Sequence, residues 1–138
     1  MPTRLVSDLL EGRDSSVFTV SPEATVQEAL EVMVSKSISS LPVTQAAELV
    51  GIVSERDYIR KAVPRRIVPW EIRVREIMTK EVICVTRDDT IQKCMELMSS
   101  NRIRHLPVVH AKALIGMLSI SDIVRALRPA RIDFPGER

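Results

Sequence analysis

Aromatic side chains are scarce in this sequence: one Trp, one Tyr and two Phe among 138 residues. A surface built to stack on single-stranded bases needs more rings than that. A net charge of +2 gives no electrostatic footprint for a polyanion either. Basic residues do gather at Arg60, Lys61, Arg65, Arg66, Arg73 and Arg75, and again at Arg125, Arg128 and Arg131, but Glu55, Glu71 and Glu76 interrupt the first group. These charges read as solvated surface, which makes nucleic acid the less favoured partner.

Histidine is equally sparse. His105 and His110 fall close together without a nucleophile and an orienting acid in any motif. No Gly-rich phosphate loop, His-Glu metal spacing or paired carboxylate site is present, so the sequence predicts neither an enzyme nor a metal site. Cys84 and Cys94 have neither zinc nor disulfide-framework spacing. They read as small core residues of a protein in a reducing cytoplasm. No apolar run is long enough to span a bilayer, and the first ten residues, MPTRLVSDLL, lack the apolar stretch of an export signal.

What the sequence does have is a duplication. Shifted by 65 residues without a gap, Thr25 meets Thr90, Met33 meets Met98 and Leu41-Pro42-Val43 meets Leu106-Pro107-Val108. The same shift pairs Gly51 with Gly116, Ser54 with Ser119 and Asp57 with Asp122. Two copies sharing one core are expected, over residues 4–63 and 74–128, with a Pro-broken basic linker at 64–73 and a frayed tail at 129–138.

Each copy opens on a short lead-in helix, Leu5–Leu10 or Val74–Met78, expected to pack against its own repeat. Residues Glu11–Ser16 form a polar loop, three residues longer than Thr79–Glu81 in the other copy. The β-branched runs Val17–Val20 and Val82–Val85 predict strands. Thr25-Val-Gln-Glu28 is a capping box, followed by Val26, Ala29, Leu30 and Met33 at helical spacing. Ile91, Cys94, Met95 and Met98 repeat that spacing. Hairpins are expected at 41–45 with 49–53 and at 106–110 with 114–118. Their turns, Ala46-Ala-Glu and Ala111-Lys-Ala, lack the Gly, Asn or Asp that tight hairpins favour. Gly51 and Gly116 leave room for something to approach the backbone. Helices resume at Tyr58, Ile59 and Ala62 and at Ile123, Val124 and Leu127. Trp70 is expected to plug a groove between the halves, with a surface anchor for a partner as the alternative. An apolar fraction of 45% is high for a small monomer and predicts a homodimer.

The doubled β-α-β-β-α unit, with Leu-Pro-Val in its second strand and Gly-h-h-Ser-x-x-Asp (h apolar) at its last turn, resembles the CBS domain. Ser54–Tyr58 (SERDY), Val74–Thr79 (VREIMT) and Arg104–Val108 (RHLPV) look most like stand-alone CBS pairs. The resemblance implies an α+β fold of two repeats about a pseudo-twofold axis, with clefts between them. It also implies a reversible adenine-containing ligand rather than a tightly bound cofactor, and a regulated partner protein. Ser54 and Ser119 end a strand before a helix, where free amides and serine hydroxyls suit a phosphate. An Asp three residues on suits a ribose diol, although Ser-x-x-Asp is also a plain capping box.

The candidate ligand-binding residues are therefore Ser54, Arg56 and Asp57 in the first copy and Ser119, Ser121 and Asp122 in the second. Arg104 and His105 are added as cations before Leu-Pro-Val, and Ile38 and Ile103 as apolar neighbours of the base. Asp122, in the copy with more polar candidates, is expected to outweigh Asp57. Arg102 and His110 are read as surface. The alternatives are a nucleic-acid binder and an interaction disc whose clefts stay empty.

Overall fold

The computed structural model describes residues 4–11 and 17–127. The loop residues 12–16 and the tail expected at 129–138 lie outside the described residues. The elements are α1 (Val6–Leu10), α2 (Val26–Lys36), β1 (Ser40–Gln45), β2 (Glu48–Ser54), α3 (Glu55–Lys61), α4 (Val74–Ile77), α5 (Ile91–Asn101), β3 (His105–His110), β4 (Ala113–Ser119) and α6 (Ile120–Leu127). Single 3₁₀ turns at Val63–Arg65 and Pro69–Glu71 occupy the linker.

The expected capping box forms at α2. Thr25 Oγ1 accepts from the Glu28 amide at 3.1 Å, and Glu28 Oε2 accepts from the Thr25 amide at 3.3 Å. Thr90 caps α5 in the same way, accepting from the Lys93 amide at 3.0 Å. Ser37 and Arg102 end these helices with φ of 56° and 54°, the left-handed turn that redirects the chain into β1 and β3. Most of the apolar stripe goes inside: Val26, Ala29 and Met33 are buried, as are Ile91, Cys94 and Met98. Two residues expected in the core are outside it. Met95 and Cys84 are exposed, Met95 because its position on α5 points away from β3 and β4.

The two hairpins join into one four-stranded antiparallel sheet, ordered β1-β2-β4-β3. They meet only at their turns. The Leu49 amide donates to the Lys112 carbonyl at 3.0 Å, and the Leu114 amide donates to the Ala47 carbonyl at 3.2 Å. Those bonds exchange under the 65-residue shift, so the pseudo-twofold axis passes between them. Each turn is two residues long, one shorter than expected, and both residues are left-handed: Ala46 and Ala47 at 52° and 66°, Ala111 and Lys112 at 48° and 71°. That is type I′ geometry, which costs an L-residue energy. Here the cross-repeat bonds to the second turn residue hold it in place.

The lead-in helices pack against the opposite repeat, not their own. Val6 is buried with Ile91, Cys94 and Leu118, whereas Val74 and Ile77 are buried with Val26, Met33 and Leu41. The backbone shows the same exchange: Ile91 N–H donates to the Arg4 carbonyl, and Val26 N–H donates to the Ile72 carbonyl. The expected plug, Trp70, is instead 62% exposed. Ile72, two residues on, is the linker residue that enters the core.

The runs 17–20 and 82–85 are not strands. Each makes one parallel bridge, Val20 with Val43 and Val85 with Val108. Val20 N–H donates to the Pro42 carbonyl, and Thr44 N–H donates to the Val20 carbonyl. Extending the ladder one step towards the N-terminus would need an N–H from Pro42, which proline lacks. Pro107 stops the second copy in the same way. Among the described residues no helix is long and apolar enough to cross a membrane.

Candidate functional site

The proline that ends the ladder also opens a cleft. Beyond the Val85 bridge, Ile83 and Pro107 face a cavity of about 470 Å³ between the two repeats, a volume in the range of small-molecule sites. Ser54, Arg56 and Asp57 enter it from the end of β2 and the first turn of α3, and Ile103, Arg104 and His105 from the start of β3. Six of the ten expected site residues are thus brought together, three from each repeat. Arg102, expected to be plain surface, also lines the cavity, because the left-handed cap it provides leads straight into Ile103.

Asp57 is both a cap and a cleft residue. Its Oδ2 accepts from the Ser54 amide at 2.9 Å and the Ser54 hydroxyl at 3.0 Å, and its Oδ1 pairs with Lys61 at 3.1 Å. A carboxylate has about four lone-pair positions, so three donors leave room for a ligand hydroxyl. Capping and recognition of one ribose hydroxyl are therefore compatible. Lys61 also donates to the Ile77 carbonyl at 2.8 Å, tying the Asp57 turn to α4.

The next segment forms a wall. Thr79 and Ile52 exchange two backbone hydrogen bonds, 2.8 and 3.0 Å, and both residues line the cavity. Gly51 makes this approach feasible, since a Cβ there would stand 3.0 Å from the Thr79 carbonyl oxygen and 2.7 Å from Met78 Sδ.

Ser119, Ser121, Asp122 and Ile38 are not part of this cavity. The Ser119–Asp122 turn is built alike: Asp122 Oδ2 accepts from the Ser119 amide at 2.8 Å, and Arg125 pairs with Oδ1 at 2.7 Å. Ser121 is exposed at that turn. The residues that the 65-residue shift matches to 79–83 include some of 12–16, which lie outside the described residues. Ile38 lines an adjoining open groove with Met33, Val34, Ser37, Ser39, Glu55 and His105.

The sequence sets the neutral Ser39-Ser40 opposite Arg104-His105, but Ser40 was not among the candidates; its Oγ is buried without a protein partner and the residue lines the cavity. Sequence reasoning missed Ile83 and Glu81, which join Asp57 in the cavity lining only through the fold. The 65-residue shift that places Ser40 opposite His105 was the one available signal for Ser40. His105 is half-buried, and burial is the largest influence on its imidazole, pushing the pKa below the ordinary histidine value. Asp122 acts against that shift and Arg104 adds to it.

This architecture is a tandem pair of α-β-β-α units, each entered through a single-bridge segment, with an inter-repeat cleft. The chain belongs to the CBS domain family, whose model matches residues 6–63 and 74–129. It is 34% identical to a protein with CBS domains from Burkholderia ambifaria MC40-6, with a TM-score of 0.86 over 95% of this chain and 98% of that one. It is 30% identical to CBSX2, solved in complex with AMP, with a TM-score of 0.75 over 89% and 95% of the two chains. Among curated relatives, the mitochondrial CBS domain-containing protein CBSX3 of Arabidopsis thaliana is 37% identical over 88% of this chain. The chain spans 64% of that protein's length. The pair is a regulatory module rather than a catalytic one.

Proposed function

We propose that the cleft between the repeats reversibly binds an adenine-containing nucleotide, of the class AMP, ADP, ATP, NAD(H) or S-adenosylmethionine, and that binding modulates a partner protein. One observation carries this reading: a single cavity joins Asp57, a hydroxyl acceptor, to apolar walls and arginines from both repeats. Ile83, Ile103 and Pro107 suit a base, Asp57 a ribose, and Arg56 and Arg104 a phosphate. The relative CBSX2 in its AMP complex supports the same ligand class. Ser119, Ser121, Asp122 and Ile38 remain the candidates for an equivalent second cleft.

A ligand touching both repeats favours the arrangement that closes on it, by no more than its differential affinity for the two states. A homodimer, through the exposed apolar side chains of α6, belongs to the same reading. The reading requires no particular compartment.

Thermal unfolding with AMP, ADP, ATP, NADH, S-adenosylmethionine and GMP, beside a DNA duplex, tests the proposal. A ligand at a hundredfold its dissociation constant adds about 2.7 kcal/mol, which raises the midpoint by several degrees. No shift with any adenine compound, together with salt-sensitive DNA binding, would overturn it in favour of nucleic acid.

A further inference from the structure

We infer that His105 takes up a proton when a nucleotide phosphate enters the cleft, so that phosphomonoester binding tightens as pH falls through neutrality. This rests on the nucleotide reading above and assigns that site a regulation by pH.

The geometry comes first. His105 opens β3, opposite Ser119, and lines both the cavity and the adjoining groove. The charged groups of the same cavity lining are Arg102 and Arg104 on its own approach, Glu55, Arg56 and Asp57 at α3, and Glu81 on the wall segment. Arg104, and Asp122 on α6, act on the ring directly. Three arginines and three carboxylates line the cavity, so with a neutral imidazole the lining carries no net charge. A phosphate dianion entering it finds cations already balanced by acids. Histidine is the side chain whose charge changes most readily near neutral pH, and His105 is the one histidine in the lining.

Burial and Arg104 outweigh Asp122 at the ring and disfavour the imidazolium. An incoming dianion reverses the balance by putting opposite charge beside the ring. The pKa of the free protein therefore lies below that of the complex, and a proton is taken up between the two values. Affinity rises as pH falls through the bound-state value and levels off below the free-state value. The first repeat has Ser40 at the matching position, which confines the device to one copy.

Calorimetry with AMP at about pH 6.5 and about pH 8, in two buffers of different protonation enthalpy, tests the linkage. The range stays above the second ionisation of the phosphate itself, near pH 6. The wild-type chain should bind AMP about three- to tenfold more tightly at the lower pH, with net proton uptake. His105→Gln should bind AMP with the same affinity at both pH values and without proton uptake. Adenosine, which lacks the phosphate, should bind independently of pH. Should His105→Gln fail to fold, NMR titration of the wild-type imidazole, assigned with His110→Gln, reads its pKa directly with and without AMP, and an upward shift is expected. pH-independent AMP binding, an unchanged dependence in His105→Gln, or an unmoved imidazole pKa would overturn the proton linkage and leave the nucleotide reading standing. No AMP binding at either pH would overturn the proton linkage, and the nucleotide reading falls with it only if ADP, ATP, NADH and S-adenosylmethionine fail to bind as well.

Discussion

Met78 lies against Gly51 so closely that a Cβ on the glycine would stand 2.7 Å from its sulfur. The thioether can swing aside, but the Thr79 carbonyl oxygen, 3.0 Å away, is backbone. At Gly116 the nearest atoms are the tips of Leu10, at 3.1 and 3.4 Å. Gly51→Ala should therefore cost about 1–3 kcal/mol and Gly116→Ala less, because only the first must displace a hydrogen-bonded strap. Denaturant unfolding of the two variants checks the order. Equal losses would show that the Thr79 wall yields freely.

The hairpin turns hold a reserve of stability. Ala46 and Ala47 are both left-handed, where asparagine and glycine are favoured. Replacing them together, Ala46→Asn with Ala47→Gly, should raise stability by about 1 kcal/mol and the melting temperature by a few degrees. The cross-repeat bond to the Ala47 carbonyl uses backbone and survives the change. A lower melting temperature would mean that the alanine methyls contribute packing.

Asp57 and Asp122 cap their helices alike, so Asp57→Ala and Asp122→Ala should lose similar stability, about 1 kcal/mol each. Binding should separate them. The described cavity contains Asp57, and its loss should weaken AMP binding about ten- to a hundredfold, or 1.5–3 kcal/mol. Asp122→Ala should weaken binding at this cleft less. Calorimetry on both variants decides the matter, and a larger loss at Asp122 would move the main site to the second turn.

Ser40 offers a change with opposite effects on folding and binding. Its hydroxyl is buried without a protein partner, so Ser40→Ala removes an unmet polar group and should stabilise the empty protein by about 1 kcal/mol. If a ligand satisfies that hydroxyl, the same variant weakens AMP binding several-fold. Unchanged affinity would remove Ser40 from the site.

Helix α6 buries Ile123 but leaves Ile120, Val124 and Leu127 between 43% and 52% exposed, at spacings of four and three residues. Residues so spaced share one face, and such a face suits a second copy. Light scattering should give about twice the 15.5 kDa chain mass, and Val124→Glu should return it to the monomer value. A monomeric wild type would leave that face to another partner.

The duplication, the helix-strand-strand-helix order of each copy and the Ser-x-x-Asp turns were legible in the sequence because they rest on local rules. Thr25 with Glu28, and Ser54 with Asp57, lie three residues apart, and a helix start brings such pairs together whatever surrounds it. The 65-residue shift likewise matched Gly51 to Gly116 before anything showed what approached them. That Pro42 and Pro107 would cut the 17–20 and 82–85 runs to single bridges was not legible. It depends on which face of β1 and β3 those runs meet, and pairing across the sheet is not written in either run alone.

The tertiary structure alone decided which residues share a cleft. Local sequence places Asp57 beside Arg56 and Asp122 beside Ser121, yet the described cavity pairs Asp57 with Arg104 and His105 from the other copy. It also alone decided that each lead-in helix crosses over. Leu5–Leu10 and Val74–Met78 carry the same apolar pattern, and two repeats of the same fold offer each of them equivalent apolar sites. Sequence periodicity specifies that such a face is buried. The path of the linker through Ile72, and the bonds from Val26 to Ile72 and from Ile91 to Arg4, specify against which copy.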